Sequence, residues 1–581
     1  MKAHSSMTDH SQKKLNLRSN FEPGSTRWAV RRAQWLAMGI PEEDFEKPKI
    51  AIVNTSSKLS VCFQHLDEVT ARVDAAIRAN GGLPFEVRTA ASSDFVTSAG
   101  LQGRYLMPTR DLMSFDVEVQ IEGAELDGMI LLSSCDKTTP AHLMAAARLN
   151  IPSIVIACGY QLGSACGEKH IDIETLYNSV GSYKAGDIDL DRLTELSRFA
   201  IQGPGVCAGL ATANSMHILA EALGMTLPGN SPIRAGSERL YGLCDAAGKR
   251  IVEMVLEDLR PRQVLTAAAF RNAIRVAVAL GTSVNVVRHL AAVAHEAELE
   301  LDVTAEVERI SSEVPLIAQI RPNGSTRIED FEAAGGCRAA MKALAAILDR
   351  EAMTVSGRTV GDITDASPDP DSPYLATLDS PCSDEPGLTI VRGSLAPLGA
   401  VVKIAAVPVH IRKFDGRARV FENEAEAIER LNPRHPECIS SGEVVVLRMM
   451  GPKGGPGTVF AASFMAALQG TGLAGEVAVV TDGELSGLNS GITIGQVMPE
   501  AAEGGPLAYV RDADTIAIDL NRRVVDLLVD HDEMTRRISQ PLSLPPSRKG
   551  WLAVYRATVG PLSRGAVVGD VSVVEDARNA R

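Results

Sequence analysis

The sequence predicts an α/β protein in two parts: an N-terminal parallel sheet flanked by helices, and a C-terminal β-barrel-like domain with helices. In the first two-thirds of the chain, short apolar runs alternate with helical patterns, which is typical of a parallel sheet covered by helices. In the last third, glycine-rich turns separate apolar runs, which favours a barrel or sandwich. Residues 362–386, dense in Asp, Pro and Ser, indicate an exposed linker between the two.

The individual elements follow from the same patterns. Continuous apolar runs predict N-terminal strands at 49–53, 128–132 and 151–157. Helical spacing of apolar residues predicts helices at 66–80, 141–149, 210–223, 261–299 and 330–350. After the linker, strands are expected at 400–407, 443–449, 476–481, 515–520 and 524–529. We therefore divide the chain into a polar tail at 1–20, an N-terminal domain at 21–364, a linker at 365–388 and a C-terminal domain at 389–581.

The composition argues against several classes of partner. The 581 residues are 45% hydrophobic and 22% charged, which provides core for at least two domains. The net charge of −14 argues against nucleic acid or an anionic membrane, because both select basic surfaces. No apolar run approaches the roughly 20 residues that span a bilayer, and the N-terminus lacks the apolar stretch of a secretory signal. We therefore expect a cytoplasmic protein that acts on a small molecule.

Three of the nine cysteines share a setting at the ends of predicted strands. Cys62 and Cys135 each come after an N-terminal strand, and Cys207 follows a Gly-Pro-Gly turn before a helix. Strand carboxyl ends form the ligand crevice of an open α/β sheet, and a helix N-terminus there lowers the pKa of a thiol. Three thiolates are therefore placed to converge on one site. Their spacing carries no metal-site rule, so packing as small hydrophobes stays an open alternative.

The remaining cysteines have no such setting. Nine cysteines scattered through a long chain do not form the dense pattern of a disulfide scaffold. A lone cysteine is usually a small buried hydrophobe. We interpret six of them in that way: Cys158, Cys166, Cys244, Cys337, Cys382 and Cys438.

The residues around the three strand-end cysteines and in the last third form longer motifs. In chain order they are CFQHL at 62–66, CDKTTPA at 135–141, AAARLNIP at 145–152, CAGLATANSM at 207–216, EALG at 221–224, LPGN at 227–230, GPKGGPG at 451–457, DGELSG at 482–487 and PEAAEGGP at 499–506. Together they resemble the dihydroxy-acid and sugar-acid dehydratase family. The resemblance extends over roughly residues 25–570, with the motifs in the family's order.

The resemblance implies an iron–sulfur cluster, commonly 2Fe–2S, held by Cys62, Cys135 and Cys207. Dehydration expels hydroxide, a poor leaving group, so a Lewis acid must take the developing charge. A cluster usually has four cysteine ligands. Three cysteines leave one iron open for that chemical role.

The resemblance also implies a divalent ion, Mg²⁺ or Mn²⁺, bound by acidic residues and a carbamylated lysine. The matching positions are Asp94, Asp136 and Lys137, and Ser486 matches the family's catalytic base, with Lys137 also in the catalytic set. Without the resemblance, Asp136 is a helix cap, Lys137 a surface cation and Ser486 a turn residue. The glycine-rich loop is then a tight turn.

Two positions depart from the family's pattern. Phe460 stands where the family usually has a glutamate that binds the divalent ion, and Leu488 replaces a glycine or small polar residue. A hard cation prefers oxygen ligands, and phenylalanine offers none. Water or substrate then fills the place, the ion binds less tightly, or the site has been repurposed.

The expected reaction converts a 2,3-dihydroxy carboxylic acid, a sugar acid (aldonate), into a 2-keto-3-deoxy acid. The sugar-acid branch is favoured by Thr138-Thr139-Pro140-Ala141. The alternatives are the dihydroxy-acid dehydratase of branched-chain amino-acid synthesis, favoured by residues 145–152 and Asn230, and dehydration of a phosphorylated sugar acid. A cluster-binding paralogue with altered or lost activity is a further alternative. The resemblance implies a homodimer or homotetramer.

Overall fold

The protein is described by a computed structural model that covers residues 17–93, 100–458, 461–485, 491–544, 546 and 549–569. Asp94, Phe460, Ser486 and Leu488 lie outside the described residues. No helix in the described ranges is both long and apolar enough to cross a bilayer.

The N-terminal sheet has four parallel strands in the order β2-β1-β3-β4. The strands are β1 (Lys49–Asn54), β2 (Leu83–Arg88), β3 (Gly128–Ser133) and β4 (Ser153–Ala157). β1, β3 and β4 are buried throughout, which explains their continuous apolar runs, and all three confirm the predicted strands. β2 is a partly exposed edge strand whose mixed residues gave no such signal.

Helices cover this sheet, as the alternating pattern predicts. In the N-terminal domain they are Thr26–Ala37, Leu66–Ala79, Leu106–Ala124, Cys135–Leu149, Ile173–Ala185, Leu190–Ser197, Thr212–Ala222, Glu238–Glu257, Pro261–Val264, Ala267–Leu280, Val286–Glu296, Val303–Ile310, Ile328–Ala333, Gly336–Ala343 and Val360–Asp365. A two-stranded ribbon pairs β5 (Ser164–Cys166) with β6 (Lys169–Ile171). The single predicted segment at 261–299 is three helices, and one break is Gly281, whose φ of +59° is left-handed.

The C-terminal sheet has eight strands in the order β14-β13-β9-β10-β11-β12-β8-β7. They are β7 (Thr389–Val391), β8 (Gly399–Val402), β9 (Lys413–Phe421), β10 (Glu443–Leu447), β11 (Ala478–Thr481), β12 (Thr493–Met498), β13 (Thr515–Asp519) and β14 (Val524–Leu527). The Arg392 carbonyl accepts a hydrogen bond of 2.8 Å from Val525 N, and Arg392 N donates one of 3.0 Å to the Arg523 carbonyl. These two bonds join the two ends of the sheet. The sheet is thus a nearly closed barrel, and the predicted fold class is confirmed. Its helices are Glu424–Glu429, Ala462–Gln469, His531–Ile538 and Trp551–Thr558.

The chain segment at residues 376–387, which leads into the C-terminal sheet, is hydrogen-bonded to the N-terminal domain. Ala376 N donates to Ile317 O and Cys382 N donates to Leu316 O, each over 2.8 Å. Gly387 N donates to Val278 O over 2.9 Å. Although many of its residues are exposed, this backbone pairing fixes the course of the segment across the N-terminal surface.

Candidate active site

Three loops at the carboxyl edge of the N-terminal sheet carry Cys62, Cys135 and Cys207. Ser134 Oγ donates 2.6 Å to the Cys62 carbonyl, which joins the loop after β1 to the start of the helix after β3. Gly205 N donates 3.5 Å to the Val61 carbonyl, which brings the third loop against the first. The structure therefore brings the three predicted cysteines to one edge, where ligands of open α/β sheets bind.

Cys135 has the most constrained position of the three. It begins the helix Cys135–Leu149 and is 2% exposed, so its sulfur lies at the positive end of a helix dipole, where a thiolate is stabilised. Its φ of +39° is left-handed, a conformation that costs about 1–3 kcal/mol and is concentrated at functional sites.

The other two cysteines are placed by loops rather than by a first helical turn. Cys62 is 5% exposed and precedes the helix Leu66–Ala79 by four residues. Cys207 is half-buried, and Asn214 Nδ2 donates 2.8 Å to its carbonyl. The helix after Cys207 begins only at Thr212. Cys207 thus precedes the helix, as predicted, but the bend at residues 208–211 separates the two.

The donor chemistry of these loops fits an iron–sulfur cluster. No cysteine of the described chain is in a disulfide, and thiolates are the ligands that such clusters use. No three His, Cys, Asp or Glu side chains in the described ranges are grouped closely enough to hold one metal ion.

The remaining six cysteines bear out the packing interpretation only in part. Cys158, Cys244 and Cys337 are buried, and burial raises the pKa of the Cys158 and Cys337 thiols. Cys166 and Cys438 are half-buried and Cys382 is exposed. The burial predicted for Cys382 is wrong, because this cysteine lies in the exposed part of the segment at residues 376–387.

Beside Cys135, a cluster of buried charges joins the two domains. Lys137 Nζ lies 2.8 Å from Asp136 Oδ1 and 3.2 Å from Glu484 Oε1, and the lysine side chain is fully buried. Lys137 is in the helix after β3, whereas Glu484 follows β11 of the barrel. Burial acts to lower the pKa of Lys137, but the two carboxylates outweigh it and raise that pKa. The alternative that Lys137 is a surface cation is therefore excluded.

The helix Val286–Glu296 adds Arg288 and His289 to this cluster. Arg288 Nη2 forms an ion pair with Glu484 Oε1, and His289 Nε2 lies 3.9 Å from the same oxygen. Burial opposes ionisation of Glu484, yet Arg288 and then Lys137 lower its pKa. Burial and the cations at Lys137, Arg110 and Arg288 hold the pKa of His289 well below its ordinary value, so its ring is neutral.

Hydrogen bonds fix the Arg288 helix against the chain segment that leads to residue 486. Asn285 Nδ2 donates 3.1 Å to the Leu485 carbonyl and 3.1 Å to Thr212 Oγ1. Gln496 Nε2 donates 3.1 Å to the Val284 carbonyl. Both bonds to the barrel are buried and cross the domain boundary, so they keep Arg288 next to Glu484.

The glycine-rich loop at 451–457 packs on a carboxylate of its own domain. Lys453 N and Gly454 N each donate 3.0 Å to Glu500. A Cβ at Gly451 would collide with the Glu500 carboxylate, and one at Gly457, whose φ is +92°, would collide with the Arg104 carbonyl. Close approach thus requires glycine at both places, which supports the tight-turn interpretation of this loop.

Of the predicted site residues, the structure brings together the three cysteines' loops and the pair Asp136–Lys137, whereas Asp94 and Ser486 lie outside the described residues. Glu484 lies in the DGELSG motif but was not predicted as a site residue, and neither Arg288 nor His289 was predicted. The available signal was an Arg-His pair between apolar residues in a helical pattern, since charged residues are rarely buried unless paired.

The chain matches two family models along most of its length. One, described as dihydroxy-acid/6-phosphogluconate dehydratase N-terminal, matches residues 47–363, and its C-terminal counterpart matches residues 374–566. A dihydroxy-acid dehydratase of Methanococcoides burtonii is 38% identical over 94% of this chain and 99% of that protein. One of Syntrophobacter fumaroxidans is 39% identical over 95% and 99%, and one of Ignicoccus hospitalis 41% identical over 91% and 95%.

All three relatives carry the name dihydroxy-acid dehydratase. The comparisons therefore support that branch better than the sugar-acid branch that the sequence analysis placed first. Identity of this level over nearly the whole of both chains establishes both fold and enzyme class. The chain belongs to the dihydroxy-acid/6-phosphogluconate dehydratase family and is a hydro-lyase that dehydrates dihydroxy acids.

Proposed function

We propose that this enzyme converts a branched-chain 2,3-dihydroxy acid into the corresponding 2-keto acid, with an iron–sulfur cluster held by Cys62, Cys135 and Cys207. The observation that carries the proposal is the meeting of the three cysteine loops beside the buried Asp136–Lys137–Glu484 cluster. Enzymes of this family generally use such a cluster and Mg²⁺. When bound, the cluster supplies a Lewis acid for the departing C3 hydroxyl.

The chain's own residues supply the rest of the chemistry. The divalent ion, when bound, would lower the pKa of the Ser486 hydroxyl so that it acts as an alkoxide. Ser486 takes the proton from C2, the C3–O bond breaks, and the same proton leaves with the hydroxide as water; the enol product then becomes the keto acid by moving its hydroxyl proton to C3. Asp94, Asp136 and carbamylated Lys137 are the proposed ligands of the divalent ion. The full burial of Lys137 supports a dehydrated site, where charges act more strongly than in water.

A sugar acid is the second candidate substrate, and one side chain favours it. Thr139 is fully buried, and its Oγ1 has no hydrogen-bond partner within the described ranges. The hydroxyl follows Cys135 by four residues on the same helix. A polyhydroxylated substrate offers a partner to such a hydroxyl, whereas a branched aliphatic chain does not.

Anaerobically purified enzyme tests the proposal. Iron and sulfide are measured per chain, and keto-acid formation is followed with 2,3-dihydroxyisovalerate, D-gluconate, L-arabinonate and 6-phosphogluconate, with and without Mg²⁺. Turnover of the branched-chain acid alone is expected. Preferred turnover of a sugar acid would make the second candidate the function, and a protein without iron or turnover would be the paralogue with altered or lost activity.

A further inference from the structure

Arg288 is a buried cation with unused hydrogen-bond donors. Arg288 is 2% exposed. In the described part of the chain its one ion-pair partner is Glu484, which contacts Nη2. Nε and Nη1 have no hydrogen-bond partner there. A guanidinium presents five N–H donors in a planar fork. Buried charged donors without partners are unfavourable, so the fork points to a ligand that accepts hydrogen bonds.

The other buried cations near this cluster are fully engaged. Lys137 Nζ is held by two carboxylates, at 2.8 Å and 3.2 Å. Arg110 pairs with Asp111 at 3.1 Å and donates to the carbonyls of Gly565 and Ala566 at 3.0 Å and 2.7 Å. Of these three cations, Arg288 is the one with open donors.

The charge balance of the cluster permits an anion to approach. With Lys137 unmodified, as in the structure, Lys137 and Arg288 offset Asp136 and Glu484, so the four side chains carry no net negative charge. When Lys137 is carbamylated, the two positive charges of the proposed divalent ion would offset the change. The neighbouring His289 is fully buried, and neither ring nitrogen has a hydrogen-bond partner among the described residues. Its neutral ring offers one donor beside the guanidinium.

We propose that Arg288 binds the carboxylate of the hydroxy-acid substrate through Nη1 and the second N–H of Nη2, which lie on one edge of the guanidinium. A carboxylate matches the spacing of these two donors, and charge-assisted paired bonds are both strong and directional. Phe460 offers no oxygen where the family usually has a glutamate. An arginine that binds the substrate carboxylate would make substrate binding depend less on the divalent ion. This inference rests on the proposed function, since it assumes an acid substrate.

Equilibrium binding to the cluster-loaded enzyme, kept free of divalent ions so that the acids are not turned over, tests the proposal. Calorimetry compares 2,3-dihydroxyisovalerate with its carboxamide, and D-gluconate with gluconamide. Wild-type enzyme is expected to bind one of the two acids more tightly than the corresponding amide. Arg288→Gln should weaken binding of that acid about 10- to 100-fold, the range for hydrogen bonds to a charged group, and leave the amide within about threefold. Arg288→Lys should lose part of the preference, because an ammonium lacks the planar fork.

Arg110→Lys is the matched control, since Arg110 is equally buried but fully partnered. It should lower the unfolding temperature and leave the acid-over-amide ratio unchanged. The proposal is overturned if Arg288→Lys and Arg288→Gln keep the wild-type ratio, or if wild-type enzyme does not prefer either acid. Should Arg288→Gln fail to fold, Arg288→Lys decides. Absence of turnover overturns the proposed function alone, because binding is still measured.

Discussion

The cysteine loops and the buried charge cluster lie side by side, yet they are built differently. Each cysteine follows a strand or turn of one domain, and the residues around it form a contiguous motif. The charge cluster joins Lys137 to Glu484, 347 positions away, and to Arg288 on a third segment. The proposed cluster site therefore draws on local motifs, whereas the electrostatics beside it depend on how two domains pack.

The two regions also differ in what holds them. Thiols tolerate burial as small hydrophobes, so the cysteine loops are stable with these side chains packed against the protein. Buried charges are not, because an uncompensated ion in a dry interior is strongly unfavourable. The loss of one cysteine should therefore affect chemistry, and the loss of one charge should affect the fold as well.

The largest expected effect is on the cysteine side. Cys135→Ser should lose cluster iron and lower turnover by about 1,000-fold or more, because a Lewis acid contributes several kcal/mol to the barrier. The free energy of unfolding of the metal-free protein should change little, since serine is similar in size. Iron and sulfide analysis with urea unfolding measures both. Full iron content in the variant would contradict the assignment of Cys135.

On the charge side, Glu484→Gln should lower the free energy of unfolding by about 3–5 kcal/mol, because two buried cations lose their shared carboxylate. Urea unfolding at pH 7 measures the change. Glu503→Gln, which breaks the partly exposed pair with Lys453 at 2.7 Å, is the control and should cost about 1 kcal/mol or less. Equal losses in the two variants would show that burial of the cluster has no energetic consequence.

Replacing the ion pair by apolar residues sharpens the distinction between stability and function. Because well-packed apolar side chains can replace a buried ion pair at little net cost, the double variant Arg288→Leu/Glu484→Leu should be more stable than Glu484→Gln by about 2 kcal/mol. Binding of the substrate acid should nevertheless stay weak. A double variant less stable than the single one would mean that the cations need Glu484 in particular.

Glu500 provides a contrast with Glu484, since both carboxyls are buried but Glu500 is held by backbone N–H groups instead of cations. Burial, then Asp482 and Glu503, raise the pKa of Glu500 to about 8. Its folded pKa exceeds the unfolded value, so its contribution is complete below the ordinary glutamate range and is lost as pH rises toward 8. The free energy of unfolding of the wild-type protein should fall as the pH rises across this window. That of Glu500→Gln should fall less steeply, and urea unfolding at several pH values measures both.

The smallest expected effect is at Cys382, an exposed thiol outside both regions. Cys382→Ser should leave iron content and turnover unchanged and alter the free energy of unfolding by less than about 0.5 kcal/mol. The same iron assay and urea titration used for Cys135→Ser measure it. A loss of iron would mean that ligand cysteines are not restricted to the three strand-end positions.

Much of the architecture could be predicted because it is encoded in short windows. β1, β3 and β4 are continuous apolar runs that signal strands buried on both faces. β2 at the edge and β9, whose residues alternate between exposed and buried, were missed, because an apolar run is the signal that such strands lack. The predicted helix at 141–149 begins earlier, at Cys135, since a first turn of polar residues does not show helical periodicity.

By itself, the sequence determined the α/β class and the strand-end setting of the three cysteines through local patterns, whereas Asp136 and Lys137 were inferred from the family resemblance. Only the tertiary structure decided that Lys137 is buried, that Glu484 and Arg288 share its cluster, and that the barrel nearly closes through Arg392. Periodicity and motif context act over a few residues, whereas an ion pair between distant segments exists only when packing removes both charges from water.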